Sequence, residues 1–467
     1  MPVVQPAKER IHKSEPQKRW SAGTLVYTSS GLVVLFLWLM WGDFAWSMRE
    51  RSVGPMASWY LSHLKVPNVL FGLLLSSLPA LIGVIVGPII SVKSDRHRSR
   101  WGRRIPFLLA TTPLAAFGMI GLGLTPVFAA WVHGHFPNQD EITISIVCFG
   151  LFWTSYEFAS LAAHSVFGGL VNDVVPKPLL GRFYGMFRAV SLIDGMIFNY
   201  WIIGHVPAHF TVILVAIGAF YGFAFLWVCL KIKEGEYPPP AAAGPTVQAG
   251  MMKWFPGFLK EVRLYCRECF ATPYYLSIFI LIKVSALAFS PVNTFAIPYA
   301  RSLGVDMTVY GKYLALTYLI SLCLSYFLGW LADFFHPLRV SIVTLAGYSL
   351  LALYGSFYAT TPTTFLIAWV GHGVMSGCHF TCSASLGQRL FPHSKYAQFA
   401  SAASVFTVAA NMVAAPLMGM LIDQTGGIYR YTFAVGCVLS ILALLAGLIV
   451  YRQFVKLGGP ENYIAPE

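Results

Sequence analysis

The sequence predicts an all-α membrane protein of twelve transmembrane helices arranged as two parallel-related six-helix halves. Composition is the first observation behind this: of 467 residues 57% are hydrophobic and 11% charged, against roughly 25% charged in a soluble chain. The second is that apolar runs long enough to cross a bilayer, ~20 residues each, are separated by short loops that alternate between rich in Lys and Arg and lacking them. The third is that six such runs before a proline-rich strap are followed by six after it, with similar turns at equivalent places.

Residues 1–24 are polar and basic, with Lys8, Arg10, Lys13, Lys18 and Arg19, and run straight into apolar sequence. A cleaved leader has a shorter apolar core and a small-residue cleavage site, so this segment reads as a cytoplasmic tail. The first half is read over 25–231. Its first helix begins near Tyr27 and carries Asp43, Arg49, Glu50 and Arg51 before Pro55. The second spans Asn68 to Ile90, where Gly83 and Gly87 sit one turn apart and let another helix approach. The loop from Ser94 to Phe107 is dense in arginine, which places it on the cytoplasmic side.

A third run from Ile105 to Pro126 leads to a linker, Val127 to Glu141, with no Lys or Arg and therefore external. The fourth run, Ile142 to Leu170, returns to the turn Asn172–Arg182. The fifth and sixth, Phe183 to Ile203 and Phe210 to Leu230, are joined by a connection holding His205 and His209 but no Lys or Arg. Residues 232–272 form a cytoplasmic linker, stiffened by Pro238, Pro239 and Pro240. Within it Trp254, Phe255, Phe258, Leu259 and Val262 share a face, with Lys260, Arg263 and Arg267 available to headgroups, so an interfacial helix is expected over 253–270. The second half, 273–452, has runs over 273–297, 310–331, 338–358, 363–386, 397–421 and 431–451, and 453–467 reads as a cytoplasmic tail. The whole reads as a multi-pass protein of the cell membrane, a monomer, with both ends cytoplasmic.

A net charge of +13 does not point to nucleic acid here, because the cations sit in loops at alternate ends of apolar runs and not on one continuous face. The eight cysteines are scattered mostly through apolar runs and form no disulfide framework. Cys266 and Cys269 have no second pair nearby to complete a tetrahedral metal site. No phosphate-cradling Gly-Lys loop, H-E-x-x-H or G-x-S-x-G occurs, so no enzyme, no ATP-driven pump, no metal and no cofactor is expected.

Val86-Gly87-Pro88-Ile89, then Ser94-Asp95-Arg96 and Ser99-Arg100-Trp101-Gly102-Arg103-Arg104-Ile105-Pro106-Phe107, closely resembles the loop of the sucrose-transporter-like branch of the glycoside-pentoside-hexuronide cation symporters, within the major facilitator superfamily. Phe44, Trp46 and Pro55 keep the spacing of that branch's Q-F-x-W-A pattern and its later proline. The resemblance implies the major facilitator fold and alternating-access transport, with proton-coupled symport of a sugar or glycoside as the leading expectation. Na⁺ coupling, an anionic sugar such as a hexuronate, export, and a solute sensor that does not transport stay open. Three departures bear on substrate: Asp43 and Arg49 stand where the branch has glutamines, Ser91 replaces a motif glycine, and Glu157 is displaced by one from the family's acidic position near Phe152-Trp153.

Ionisable side chains inside a bilayer are costly and default to function. Asp43, Glu157 and Asp194 are therefore candidate proton-coupling groups, since burial favours a protonated carboxyl and a nearby cation favours the ion. Asp43, Trp46, Arg49, Glu157, Arg188, Asn199, Lys283, Asn293, His372 and His379 are candidate substrate contacts. The structural alternatives are a pair of Asp43 with Arg49 or Arg188, amides that glue helices, core histidines, and snorkelling at an outer helix end for Arg51. Asp95, Arg96, Gly102, Arg103, Arg104, Asp173 and Arg182, with Gly329, Asp333 and Arg339 in the second half, are expected to form conformational latches, Asp173 pairing with Arg182.

Overall fold

The computed structural model describes residues 19–237, 272–392 and 396–466, without the side chains at 325, 326, 333, 396–398, 400–408 and 461. The interfacial helix expected at 253–270 and the side chain of Asp333 lie outside that description. Nine helical stretches among the described residues are long and apolar enough to cross a membrane. One of them, Lys177–Lys231, bends back on itself through a π turn at Phe198–Ile202, a 3-10 turn at Ile203–His205 and non-helical backbone at His209, and so provides two crossings. Pro362–Ser383 and Tyr396–Gln424 complete the twelve.

In chain order the crossings are α1 (Ser29–His63), α2 (Asn68–Arg96), α3 (Ile105–His135), α4 (Glu141–Val174), α5 (Leu180–Ile197, continued by the two turns) and α6 (Val206–Lys231). The second set is α7 (Pro273–Ser302), α8 (Met307–Phe335), α9 (Pro337–Tyr358), α10 (Pro362–Ser383), α11 (Tyr396–Gln424) and α12 (Tyr431–Lys456). Short polar side chains open several of them by accepting from first-turn amides. Thr28 takes Gly31 N at 3.1 Å, Asp140 takes Thr143 N at 2.9 Å, Asp306 takes Thr308 N at 2.8 Å, and Thr361 and Thr364 form a reciprocal box.

The two halves repeat one packing scheme. α3 packs on α4 and α6 as α9 packs on α10 and α12; α1 packs on α5 and α6 as α7 packs on α11 and α12; α2 packs on α4 as α8 packs on α10. Parallel repeats of this kind are the architecture in which substrate sits between two halves.

Several boundaries differ from the sequence reading. α1 does not end at Pro55 but runs through it to His63; the proline removes one backbone donor, and in an apolar surround the rest of the ladder holds the helix together. Residues 20–22 and 25–27, assigned partly to a tail, pair as a small antiparallel hairpin, against which Glu236 N donates to Thr24 Oγ1 at 2.8 Å.

Contacts across the halves gather at the end of the bundle away from the basic loop. Asp423 at the end of α11 accepts Asn68 N at 3.1 Å, Asn68 Nδ2 at 2.7 Å and Val69 N at 3.0 Å, capping α2 from the opposite half. Gly72 lies so close to α11 that a Cβ there would sit 2.7 Å from the carbonyl carbon of Ala415. Arg301 Nη1 donates to Trp59 O at 3.3 Å, and Gly204 and Gly311 bring the end of α5 against the start of α8.

Candidate functional site

A cavity of about 520 Å³ lies between the halves, within the range of small-molecule sites, roughly 300–1,000 Å³. α1 contributes Arg51, Pro55 and Ser58 at one-turn spacing, α4 contributes Trp153 and Glu157, and α5 contributes Arg188. From the second half come Asn293, Tyr310, Thr317, Tyr318, Trp369 and Phe380 among others. All the charge on its walls comes from the first half. The second half supplies aromatic faces and neutral hydrogen-bonding groups.

Helical phase explains which of the α1 charges reaches the cavity. Arg49 and Arg51 are two residues apart, about 200° around the helix, so they face opposite ways. Arg51, expected to snorkel at an outer end, instead turns into the cavity. Its Nη2 donates to Ser191 Oγ at 2.8 Å and its guanidinium lies over the Tyr318 ring at 5.2 Å. Arg49 is fully buried inside the first half, over Trp46 at 4.0 Å and Tyr221 at 5.0 Å. Its Nη1 donates to Ser160 Oγ at 2.8 Å and its Nη2 lies 3.7 Å from Glu50 Oε1. Glu50 also accepts from Trp46 Nε1 at 2.8 Å.

The structural alternative, a pair of Asp43 with Arg49 or Arg188, is not formed: no ion pair among the described residues joins them, and Arg49 is taken by Ser160 and Glu50. Asp43 and Asp194 are both buried, and Asp43 Oδ2 and both Asp194 oxygens have no hydrogen-bond partner among the described residues. The charges that bear on Asp194 are those of Asp43 and Arg51, and the charge that bears on Glu157 is Arg49's. A chain of ionisable groups thus runs from the core of the first half to the cavity wall.

Trp153 owes its place to a defect in α2. A π turn at Leu73–Ser77 gives the Leu73 carbonyl to Leu78 N. The Leu74 carbonyl would then need the amide of residue 79, which is a proline without N–H. Trp153 Nε1 supplies the missing donor at 2.8 Å, and the indole is thereby fixed in the cavity wall.

In the second half, His372 is buried with Nε2 3.1 Å from Asn293 Oδ1 and Nδ1 3.0 Å from the Tyr348 hydroxyl, so it orients Asn293 at the cavity. His379 is buried against Phe289, with Nδ1 3.2 Å from Thr344 Oγ1. Asn293 is shared with a smaller cavity of about 280 Å³ that holds Lys283, Ser290 and Asn411. Seven of the ten candidate contacts lie off the central cavity: Asp43, Trp46 and Arg49 buried in the first half, His372 and His379 buried in the second, Lys283 in the smaller cavity, and Asn199, whose Nδ2 donates to Gly195 O at 2.7 Å behind Gly311.

The basic loop forms a dense network outside the membrane span. Arg103 grips Asp173 through Nε at 2.9 Å and Nη2 at 2.6 Å, which holds the Arg103 guanidinium above its usual range. Arg104 bonds Asp95, reaches Asp173 at 3.3 Å and donates to Ser94 Oγ at 2.6 Å. Asp173 is thus held by Arg103 and Arg104, correcting the expected pair with Arg182; Arg96 is exposed and takes no part in these bonds. In the other half Arg339 donates to Tyr451 Oη at 3.1 Å, and a Cβ on Gly329 would meet open space.

Sequence reasoning missed Glu234. Its carboxylate accepts Arg103 N at 2.9 Å, Arg104 N at 2.8 Å and Ile105 N at 2.7 Å, an anionic cap on the start of α3. Gly102 permits this approach: its φ is +102° and a Cβ would fall 2.6 Å from Glu234 Cβ.

Residues 278–462 match the family model of the Major Facilitator Superfamily. Solute carrier family 45 member 4 of Homo sapiens is 27% identical over 176 residues, 38% of this chain and 22% of that one. The mouse protein of the same name is 28% identical over 177 residues, again 38% and 22%. The chain thus spans about a fifth of the length of the relatives it matches. A bacterial homologue of the human lysosomal transporter Spinster, inward-facing and unoccupied, superposes with a TM-score of 0.64 at 14% identity, covering 93% of this chain and 98% of that one. The D-xylose-proton symporter gives 0.60 at 12%, covering 90% and 98%, and the nucleoside transporter NupG gives 0.60 at 12%, covering 90% and 99%.

Proposed function

We propose that this chain, which belongs to the major facilitator superfamily, is a secondary active transporter that moves a sugar or glycoside together with a proton by alternating access. The observation that carries the reading is the cavity shared by the halves, with ring-sized aromatic faces at Trp153 and Trp369, an oriented amide at Asn293, and a carboxyl at Glu157 in its wall. Aromatic faces and amides suit polyhydroxylated rings. The names of the relatives fit this choice: a xylose-proton symporter shares the fold, and solute carrier family 45 shares part of the sequence.

Glu157 is the group we assign to proton coupling, because it is in the cavity wall and Arg49 stands behind it. Asp43 and Asp194 form a second carboxyl pair that Arg51 links to the cavity. With the basic loop facing the cytoplasm of a cell membrane, the contacts of Asp423, Gly72 and Arg301 close the outer end, and the state is inward-facing. Purified protein in lightly buffered vesicles tests the reading. Adding the solute outside should raise external pH, a protonophore should abolish the rise, and the solute should be recovered unchanged. Uptake that follows Na⁺ and not H⁺, binding without uptake, or a chemically altered solute would each overturn it.

A further inference from the structure

We infer that the groove between α1 and α6, on the outer surface of the first half, binds one anionic phospholipid of the leaflet on the basic-loop side. Trp38 and Trp41 of α1 and Phe220, Phe223 and Trp227 of α6 enclose a hollow of about 440 Å³. Trp41 meets Phe220 edge-on at 5.7 Å and stacks on Phe44 at 5.9 Å, which fixes its floor, while Phe223 is 81% and Trp227 56% exposed along its rim. Leu37 and Leu230, also exposed, continue the apolar surface on either side, so this face is bounded by lipid and not by water.

The groove offers three chemistries. At its mouth, Lys231 is exposed with Nζ 5.6 Å from the centre of the Trp227 ring, and Lys233 beyond it is exposed as well. None of the ion pairs among the described residues includes either lysine. Of the two acids in the same segment, Glu234 is committed to the amides of Arg103, Arg104 and Ile105, which leaves Glu236 against two lysines. A cationic mouth at a membrane surface suits a phosphate.

The indole N–H groups of Trp38, Trp41 and Trp227 have no hydrogen-bond partner among the described residues. A donor left unpaired against hydrocarbon is costly, and an acyl chain has no acceptor to give it. The ester carbonyls of a glycerolipid, just beneath its phosphate, are such acceptors. The phenylalanines then supply the apolar bed. Trp227, Phe223 and Phe220 lie four, eight and eleven residues before Lys231, about 6, 12 and 17 Å at 1.5 Å per residue. That is the depth of one leaflet of a hydrocarbon core ~30 Å thick. Phosphate, ester and chain in that order describe a phospholipid; a sterol carries one hydroxyl and no charge. Both walls belong to the first half, so the lipid would travel with α1, which also carries Arg51 to the cavity.

Photolabelling of the full-length protein in phosphatidylcholine nanodiscs tests the site, with trace phosphatidylglycerol or phosphatidylcholine bearing a diazirine in the same acyl chain. Each signal is scaled to the exposed apolar face of α12 at Val438, Leu442 and Leu445. Phosphatidylglycerol should label peptides holding residues 37–41 or 220–227 about fivefold or more over phosphatidylcholine. Lys231→Gln combined with Lys233→Gln should bring that ratio close to one. Equal labelling of the native protein by the two lipids overturns the inference without recourse to any variant, and so does a ratio that survives loss of both lysines. Labelling of α12 without α1 and α6 would show the groove covered by the chain's own 253–270 segment or by a second copy, and a photoreactive sterol that labels it in preference to both lipids would name a different occupant; either result overturns the inference.

Discussion

Asp423 of α11 and Asn68 of α2 are joined by a carboxylate that accepts both the backbone and the side-chain nitrogen of the asparagine, at 3.1 and 2.7 Å. Tyr429 donates to Asn68 Oδ1 at 2.9 Å from the same side. The cap is anionic, it sits on a helix N-terminus, and its two partners belong to different halves. Removing such a charge costs about 1–2 kcal/mol, a shift of roughly 5–30-fold in a two-state ratio. Asp423→Asn should therefore favour the state opened at this end. With native cysteines replaced, Leu75→Cys in the cavity wall should react several times faster with an impermeant maleimide from that side; an unchanged rate would show that the cap does not gate access.

Glu157→Gln should abolish proton-driven accumulation while leaving exchange of solute down its own gradient, because the cavity keeps its shape and loses only its titrating group. Asp43→Asn should slow accumulation less, since Asp194 remains. If both variants accumulate solute like the parent under a proton gradient, the coupling assignment is wrong.

Gly102→Ala should destabilise the protein, and by more than a change of helix propensity. Its φ of +102° strains any L side chain, and the new Cβ would push Glu234 off the three amides it caps. A loss of about 1–2 kcal/mol should lower the melting temperature by a few degrees in detergent. Glu234→Gln should lower it less, since the amide oxygen still accepts.

His336 makes stability depend on pH. It sits in the turn between α8 and α9 at φ 75°, and its Nδ1 accepts from Leu338 N at 3.3 Å. Burial, then Arg389 and Arg339, push its pKa down to about 4. The unfolded chain binds this proton near pH 6.5 and the folded chain near 4, so the contribution is complete above 6.5 and is lost as pH falls toward 4. His336→Asn keeps an acceptor in a residue that tolerates positive φ. The melting temperature of the parent should fall more steeply than that of the variant between pH 6.5 and 4, with the two curves parallel above 6.5.

Much of the architecture was legible because a bilayer imposes length and apolarity on every crossing, and loop charge on every turn. The twelve crossings, the basic loop and the intramembrane charges followed from that. Side-chain direction did not. Arg51 looked terminal because Pro55 was read as the end of a helix; once α1 continues to His63, the same residue lies within the crossing and a half-turn from Arg49. Asp173 was recognised as a latch residue but matched to its sequence neighbour Arg182, whereas its partners come from a loop about 70 residues away. Glu234 and Asp423 cap helices distant in sequence, and nothing local marks a carboxylate as another helix's cap. One signal was available for Trp153: a proline at position 79 leaves a carbonyl in need of a donor.

The broken ladder of α2 has a mechanical consequence. Leu74 is tied to Trp153 of its own half, while Ser76 and Ser77, two and three residues on, donate to the carbonyls of Asn411 and Met412 in the other. When the halves part, the tryptophan bond travels with its own side and the two serine bonds must shear. On the alternating-access reading the slip plane therefore runs along one face of α2, and Trp153, an indole of the cavity wall, is anchored within a single turn of it.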